Sequence, residues 1–143
     1  MKEKERKFML TYLPDYYYME DIQQGYLMID NNRYLRVRVI DNAKSYLCYK
    51  TVVSQTEKNE FEYEIPLNDA IELLQSTQIK LSKKRYKTSF DNQVVDIDCY
   101  ENGLKVCEIE YENEPISIPD YCGEEITGNK SFSNISIAFS NQT

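Results

Sequence analysis

The chain has 143 residues, the usual length of one domain, and 41% of them are hydrophobic. It contains no histidine, which excludes Ser-His-Asp and Cys-His catalysis and histidine-ligated zinc sites. Its net charge of −7 argues against a general nucleic-acid binder, which would need a basic face. We therefore expect one domain over residues 1–143 whose chemistry uses carboxylates, lysine, arginine, tyrosine or an oxygen-bound metal.

The apolar stretches are all short, and the charged first residues do not resemble a secretory signal. We expect a cytoplasmic protein without a membrane partner. The chain has four cysteines without C-x-x-C spacing, so reduced thiols are favoured over disulfides. These cysteines are Cys48, Cys99, Cys107 and Cys122.

Alternation between two kinds of residue predicts strands along most of the chain, and abundant Tyr and Val agree with strand propensity. The predicted strands cover residues 2–12, 22–30, 34–41, 45–53, 60–65, 79–90, 93–100 and 104–112. Turn signals separate several of them, at 31–32, 41–42, 91–92 and 102–103.

Three shorter helical segments are predicted between and after these strands. A helical turn is expected from Pro14 to Asp21, and another short helix or 3₁₀ turn around 123–128. A helix is expected at about 67–76, where Pro66 opens it, Asn68 caps it and an apolar stripe follows.

Short connections favour antiparallel neighbours, and eight such strands must either close on themselves or protect their edges. We predict a mainly β (α+β) fold: a closed eight-stranded antiparallel β-barrel with one or two short helices outside it.

Charged residues two positions apart recur in six of the predicted strands and point to one face of each. Acidic pairs and basic pairs lie on different strands: Glu3 and Glu5 with Lys7, Arg36 and Arg38, Glu60 and Glu62, Lys83 and Arg85, Asp96 and Asp98, Glu108 and Glu110. One interpretation is an ordinary solvated sheet face. The other is a barrel interior in which basic residues meet phosphate and carboxylates hold metal ions, because like charges along a strand repel without a counter-ion.

The order of these motifs resembles the CYTH, or triphosphate tunnel metalloenzyme, superfamily. The resemblance opens with the E-x-E-x-K pattern of Glu3, Glu5 and Lys7 and runs in order through almost the whole chain. Its other motifs are Gln24-Gly25-Tyr26, Arg36-Val37-Arg38, Lys50, 60–66, 83–86, Asp96-Ile97-Asp98, 108–110, 123–127 and Asn134. The resemblance implies a tunnel of eight antiparallel strands that binds triphosphate compounds with Mg²⁺ or Mn²⁺.

The resemblance also implies roles for individual residues. The expected phosphate ligands are Lys7, Arg36, Arg38, Lys50, Lys83 and Arg85. The expected metal ligands are Glu3, Glu5, Glu60, Glu62, Glu108 and Glu110. The expected catalytic residues are Glu5, Lys50 and Asp98, with Asp98 lying behind the direct ligands. Glu125 matches a late family glutamate without a firm role.

The chain departs from the family at several positions. It has no Trp, and Val95 and Tyr121 stand where relatives often carry one. Lys58 replaces a frequent arginine, and Thr51 replaces a frequent glycine. The short tail suggests a reduced helix at one tunnel mouth. These differences affect substrate choice and rate more than the ligand set.

The preferred function is metal-dependent hydrolysis of inorganic tripolyphosphate or a small organic triphosphate, with a monomer or homodimer and no duplex nucleic acid as a partner. A class IV adenylate cyclase, which has the same tunnel fold, is one alternative function. RNA 5′-triphosphatases and thiamine triphosphatases are others, and they differ in the part of the substrate that lies at the tunnel mouth. A non-catalytic module that sequesters nucleotides or polyphosphate is the alternative of another class. The run Tyr16 to Tyr18 could stack a nucleobase, but packing against the barrel is the favoured interpretation.

Overall fold

The computed structural model describes residues 2–141, which form a mainly β structure. The strands are β1 (Lys2–Leu10), β2 (Tyr18–Asp30), β3 (Arg33–Ile40), β4 (Lys44–Val52), β5 (Glu57–Glu64), β6 (Lys80–Phe90), β7 (Gln93–Tyr100), β8 (Lys105–Glu110) and β9 (Cys122–Glu125). The helices are α1 (Leu67–Gln75), a 3₁₀ helix (Lys130–Phe132) and α2 (Asn134–Ser140).

Eight of the strands close into an antiparallel barrel, as predicted. The strand order is β5-β4-β3-β2-β6-β7-β8-β1, and pairing of β5 with β1 closes the ring. The start of β1 pairs with β5, its middle pairs with β8, and β9 adds to its far end. β1 is therefore the seam of the barrel, and short β9 covers the edge of β1 beyond β5.

The predicted turns are confirmed by backbone conformation. Positive φ angles occur in all four, mostly at Asn and Asp, which tolerate the left-handed region better than most residues. The residues are Asn31, Asp41, Asn42, Asp91, Asn92 and Gly103.

The helical turn predicted from Pro14 to Asp21 is wrong: residues 14–17 are not helical, and the rest of the segment is a strand. β2 begins at Tyr18, and Tyr18 to Asp21 pair in register with Lys87 to Lys84 of β6. The long β6 strand offers backbone partners to this segment, so strand pairing overrides the local turn signals.

Helix α1 matches the predicted helix but has a different N-terminus. Pro66 is the N-cap and no side chain caps the helix, so the predicted cap at Asn68 is wrong. Ala70 and Leu74 pack against Val37 on the outer face of β3. Gly25 permits this close approach, because a Cβ there would lie 2.9 Å from the Thr77 side chain.

The segment between β8 and β9 covers another part of the outer face. Ile116 and Tyr121 pack against a cluster that includes Phe8, Val95 and Ile109. The outward apolar residues of β1, β7 and β8 are therefore buried, which leaves the inner faces for the charged residues.

The helix predicted around 123–128 is wrong in position. Residues 122–125 form β9, and the helical turns come later, at 130–132 and 134–140. The Ser133 side chain caps α2 by accepting a hydrogen bond from the Ser136 amide.

Helix α2 closes one end of the barrel interior. Its buried Ile137 and Ala138 join a cluster of inward-facing side chains near the ends of four strands. These side chains are Tyr26, Leu81, Tyr100 and Val106. Within the described residues, no helix is long and apolar enough to span a membrane.

Candidate active site

Register places all of the predicted ligands on the inner wall of the barrel. Residues directly opposite each other on paired strands share a face. Glu5 lies opposite Glu110, Lys7 opposite Glu108, Lys50 opposite Glu60, and Arg85 opposite Asp98. Period-two alternation brings the remaining predicted ligands to the same face: Glu3, Arg36, Arg38, Glu62 and Lys83.

Asp98 binds two basic side chains in the deepest part of the interior. Its carboxylate accepts hydrogen bonds from Lys83 Nζ at 2.7 Å and from Arg85 Nε and Nη2 at 2.7 and 2.9 Å. Burial alone would raise the pKa of Asp98, but Arg85 and Lys83 outweigh it and hold that pKa far below its usual range. Asp98 therefore stays ionised and fixes the direction of both basic groups.

Lys83 is the basic residue most affected by burial. Burial lowers its pKa to about 7, against the attraction of Asp98 and with repulsion from Arg85 and Arg38. Its Nζ also donates to Asn134 Oδ1 at 3.3 Å, and the Tyr100 hydroxyl donates to the same oxygen. The start of α2 thus contacts a predicted phosphate ligand directly.

Lys7 links the C-terminal segment to an acid of the interior. Its Nζ donates to the Phe132 carbonyl at 3.1 Å and lies 3.6 Å from Glu108 Oε1. Burial disfavours the charge of Glu108, but Lys7, Arg85 and Lys83 together outweigh that effect and lower its pKa. Glu108 is therefore ionised beside the predicted phosphate ligands.

The two arginines of β3 have different surroundings. Gln24 Oε1 accepts hydrogen bonds from Arg38 Nε and Nη2 at 3.0 and 2.9 Å, which fixes that guanidinium. Arg36 is 2% exposed, and its Nε and Nη2 have no hydrogen-bond partner among the described residues. Burial and the neighbouring Arg36 lower the pKa of Arg38 to about 10. Arg36 Nη2 lies 3.7 Å from Glu62 Oε2, so the guanidinium has an ion-pair partner, although that distance is too long for a hydrogen bond.

Acids and bases alternate along the β1–β5–β4 side of the barrel. Lys50 Nζ lies 3.0 Å from Glu3 Oε1 and 3.4 Å from Glu60 Oε2, and Lys58 Nζ lies 3.7 Å from Glu5 Oε1. Burial opposes the charge of Lys50, but Tyr34, Glu3 and Glu5 outweigh burial and raise its pKa. Lys50 is therefore a permanent cation between two carboxyl groups.

Three of the inner glutamates have raised pKa values. Burial, together with Glu108, raises the pKa of Glu5 to about 8. Burial, together with neighbouring acids, also raises the pKa values of Glu3 and Glu110. Carboxylates that face one another in this way are suited to a divalent cation with oxygen ligands.

Exposure changes along the interior in a graded way. The side chains of Lys83 and Asp98 are fully buried, whereas those of Lys87 and Glu62 are 26% and 34% exposed. The interior is therefore accessible from the end that Lys87 and Glu62 line, away from α2.

Five inward residues contribute to the site without having been assigned a role from the sequence. Gln24 orients Arg38, Lys58 contacts Glu5, and Lys87 lies 3.1 Å from Asp96 Oδ1. Cys48 lies opposite Arg36 and Glu62. Asn134 Oδ1 accepts hydrogen bonds from Lys83 Nζ and from the Tyr100 hydroxyl. Alternation alone could have placed Lys58, Lys87 and Cys48 inside, because each lies two residues from a predicted ligand: Glu60, Arg85 and Lys50, respectively.

Two other sequence features lie outside the interior. Glu125 accepts hydrogen bonds from Arg6 Nε and Nη2 at 2.7 and 2.6 Å, on the outer side of β1. Tyr16 packs edge-to-face on the Tyr86 ring at 4.7 Å, and Tyr17 shares a hydrogen bond with Ser89. Packing of the tyrosine run against the barrel, the favoured interpretation, agrees with these contacts.

Comparison with known proteins gives consistent similarities in sequence and structure. The chain is 38% identical over 119 residues to an inorganic triphosphatase from Acetivibrio thermocellus, which covers 78% of this chain and 76% of the relative. It is 25% identical to an inorganic triphosphatase from Nitrosomonas europaea, over 98% of this chain and 99% of the relative. A crystal structure of an inorganic triphosphatase matches with a TM-score of 0.70 and 25% identity, and covers 95% of this chain and 93% of that one.

A sequence model of one domain family spans most of the molecule. The CYTH domain model matches residues 1–136, from the first barrel strand into α2. This range includes every inward charged residue described above. The chain belongs to the CYTH domain family.

Proposed function

We propose that the protein hydrolyses a triphosphate in its barrel interior with the help of a divalent cation. The observation that carries the proposal is the buried Arg36 guanidinium, whose Nε and Nη2 lack a hydrogen-bond acceptor among the described residues and whose Nη2 lies 3.7 Å from Glu62 Oε2, on an inner face that also carries the glutamates of β1, β5 and β8. Phosphate oxygens suit the arginine, and a cation suits the acids. The likeness to inorganic triphosphatases supports the same reaction class.

The inner acids fit a bound divalent cation. Burial, together with neighbouring acids, raises the pKa values of Glu3, Glu5 and Glu110, and a cation beside them would favour their ionised forms. All six proposed ligands offer oxygen, which favours Mg²⁺ or Mn²⁺. They are Glu3, Glu5, Glu60, Glu62, Glu108 and Glu110. A cation held there supplies positive charge that offsets the phosphate oxygens during hydrolysis.

The basic side chains bind and orient the phosphate chain in this proposal. Arg36 and Arg38 approach it from β3, and Lys83 and Arg85 approach it from β6. Lys7 and Lys50 complete the set from β1 and β4. Asp98 acts as a positioning residue, because it bonds to Lys83 and Arg85 and presents no free face to a substrate.

Proton transfer in the absence of histidine falls to a carboxylate. Glu5 Oε1 or Oε2 accepts the proton of the attacking water in its ionised form, which a cation held by the inner acids would favour over the protonated form that burial and Glu108 otherwise stabilise. Lys50, which contacts Glu3 and Glu60, offsets charge on an oxygen of the transferred phosphate.

Inorganic tripolyphosphate is the proposed substrate. Helix α2 fills one end of the interior with Ile137 and Ala138, so a short phosphate chain fits better than a long one. A nucleotide cyclase would also need a site for the nucleobase at the tunnel mouth. We identify no such site among the described residues. The cytoplasmic location, and the monomeric or homodimeric state, stay predictions.

The test is phosphate release from tripolyphosphate, ATP and pyrophosphate, each with Mg²⁺, Mn²⁺ or EDTA. Metal-dependent release from tripolyphosphate well above ATP is expected. Conversion of ATP to pyrophosphate would point to cyclisation, and binding without phosphate release would point to a sequestering module.

The Glu5→Ala and Arg38→Ala variants should each lose phosphate release while they retain the circular dichroism spectrum of the wild type. Full activity in either variant would contradict the proposal.

A further inference from the structure

Two of the four cysteines lie against each other on the outer side of the barrel. Cys107 of β8 and Cys122 of β9 are both free thiols, and their Sγ atoms are 2.8 Å apart. Each lies opposite an outward apolar residue of β1, since Cys107 pairs with Phe8 and Cys122 pairs with Leu10. The two thiols therefore lie on the face of the wall opposite to the inward side chain of Glu108, the next residue after Cys107.

Backbone hydrogen bonds on both sides of Cys122 hold β9 in place over the partner thiol. The Thr11 amide donates to the Tyr121 carbonyl at 2.9 Å, and the Ile126 amide donates to the Lys7 carbonyl at 2.8 Å. A disulfide bond is about 2.05 Å long, so the two sulfur atoms need to approach by only about 0.8 Å. Small side-chain rotations supply that movement while the strands keep their register.

The two thiols differ in access and in proton affinity. Cys107 is fully buried, whereas Cys122 is partly exposed. The hydrogen bond between them lowers the pKa of Cys122 and raises that of Cys107, so the proton stays on Cys107. Because the thiolate is the reactive form, a dissolved oxidant meets Cys122 first, and Cys107 lies behind it as the second thiol.

We propose that Cys107 and Cys122 form an oxidation site, at which a peroxide converts the two thiols into an intramolecular disulfide. The Cys122 sulfur attacks one oxygen of hydrogen peroxide, becomes a sulfenic acid and releases one water. The Cys107 sulfur then attacks the Cys122 sulfur, and the sulfenic hydroxyl leaves with the Cys107 proton as a second water. Two electrons thus pass from the thiols to one peroxide. The reaction is independent of the proposed hydrolysis.

Peptide mapping of the full chain tests this site. Reductant is removed, EDTA is added, and the protein is treated with an equimolar amount of hydrogen peroxide. The remaining thiols are alkylated in denaturant, and the chain is digested with trypsin without reduction. Both cysteines stay in the peptide 106–130, because no Lys or Arg lies between them, and Cys48 and Cys99 fall in other peptides.

We expect the peptide 106–130 to escape alkylation and to be about 2 Da lighter than its dithiol form, because two hydrogen atoms are lost. A glutamate-specific protease cleaves between the two cysteines, and the two pieces should stay joined until reductant is added. Alkylation of both cysteines in the treated wild type, a link to Cys48 or Cys99, or a link between two chains overturns the proposal.

Three variants separate the roles of the thiols. Cys99 and Cys122 are both partly exposed, so Cys99→Ser is the matched control for Cys122→Ser. The control should keep the link within 106–130, and Cys122→Ser should lose it. In Cys107→Ala the first thiol has no partner, so dimedone should trap the sulfenic acid at Cys122. A folded Cys107→Ala variant without this adduct overturns the proposed first step.

Thermal denaturation shows whether the link forms in the folded arrangement of the strands. The link closes the loop 107–122 and joins β8 to β9 on either side of β1. Such a link restricts the unfolded chain, so the oxidised wild type should denature at a higher temperature than the reduced form. Added reductant should reverse the shift, and peroxide should not shift Cys122→Ser. A lower midpoint for the oxidised wild type overturns the proposal.

No phosphate compound or metal is present in either measurement. Failure of this proposal is therefore distinguishable from failure of the hydrolysis assay.

Discussion

Buried charges dominate this molecule at the scale of single residues. Asp98 and Lys83 have fully buried side chains, and they are joined with Arg85 by three hydrogen bonds shorter than 3 Å. Such a cluster gains little net stability over an apolar core, but removal of one member leaves unpaired charge in a low dielectric. The cluster is therefore costly to break, and it holds two proposed phosphate ligands, Lys83 and Arg85, in a fixed direction.

The Asp98→Asn variant should be destabilised by about 3 kcal/mol, because Lys83 and Arg85 lose their buried counter-ion. Urea denaturation at pH 7 measures this change. The matched control is Asp30→Asn, which breaks the exposed ion pair with Arg33. The control should leave the midpoint unchanged. An equal midpoint for Asp98→Asn and the wild type would show that the cluster does not behave as a buried ion network.

Glu5 illustrates the conflict between function and stability. Its pKa is about 8 in the folded protein, compared with 4.5 for an ordinary glutamate. Between these values the folded chain keeps a proton that the unfolded chain has lost, so stability falls as pH rises from about 4.5 to 8. A carboxylate retained at this cost is consistent with a role in the chemistry.

The Glu5→Gln variant should be more stable than the wild type by roughly 1–2 kcal/mol at pH 8.5 in EDTA, because glutamine has no buried charge to acquire. The difference should vanish near pH 4.5, where Glu5 is protonated in the folded state. Denaturation midpoints at both pH values measure it, with exposed Glu124→Gln as the control. A Glu5→Gln variant that is less stable than the wild type at pH 8.5 would contradict the assigned pKa shift.

At the scale of secondary structure, strand faces could be predicted from the sequence more reliably than helix positions. Alternation of Arg36 and Arg38 with apolar neighbours was sufficient to place both arginines on one face of β3, since side chains on a strand point alternately to opposite sides, and the resemblance indicated that this face is the inner one. The location of α2 could not be predicted in the same way. Its large apolar residues, Ile135, Ile137 and Phe139, alternate in a way that resembles a strand.

Helix α2 forms because of contacts with distant strands. Isolated helices of seven residues are not stable in water, so burial of Ile137 and Ala138 against Tyr26 and Tyr100 must supply the missing free energy. The same reasoning explains the start of β2 at Tyr18, which depends on partners in β6. Neither dependence is visible in a local window of sequence.

The Ile137→Ala variant should lose about 2–4 kcal/mol, since Ile137 is 3% exposed and the smaller side chain leaves a cavity at the closed end of the barrel. Thermal denaturation measures the loss, and faster amide exchange over 134–140 should accompany it. The control is Phe139→Ala in the same helix, where the side chain is 46% exposed and little change is expected. Equal losses in both variants would mean that α2 does not seal the interior through Ile137.

At the scale of the whole molecule, closure of the barrel concentrates charge of both signs. An open sheet would let its charged face contact water, whereas the ring of eight strands turns that face onto itself. Acids and bases then neutralise one another only in part, as the raised pKa values of Glu3, Glu5 and Glu110 indicate. The inner face of the barrel thus carries acidic and basic side chains within one ring of strands.

This arrangement predicts that anion and cation stabilise the fold cooperatively. A phosphate chain alone brings negative charge near the inner acids, and a metal alone brings positive charge near Arg36 and Lys50. Bound together, they neutralise each other and both sets of side chains. A non-hydrolysable, nitrogen-bridged tripolyphosphate with Mg²⁺, at about 100 times its dissociation constant, should stabilise the fold by about 2.7 kcal/mol.

Thermal denaturation with each component alone and with both measures this coupling. For a chain of this length, the combined shift should be about 8 °C and should exceed the sum of the separate shifts. The Arg38→Ala variant should lose the combined shift, because it lacks an interior phosphate ligand. The Arg33→Ala control alters an exposed arginine on the β2–β3 turn and should keep the shift. Separate shifts that simply add would mean that the phosphate and the metal do not share one site inside the barrel.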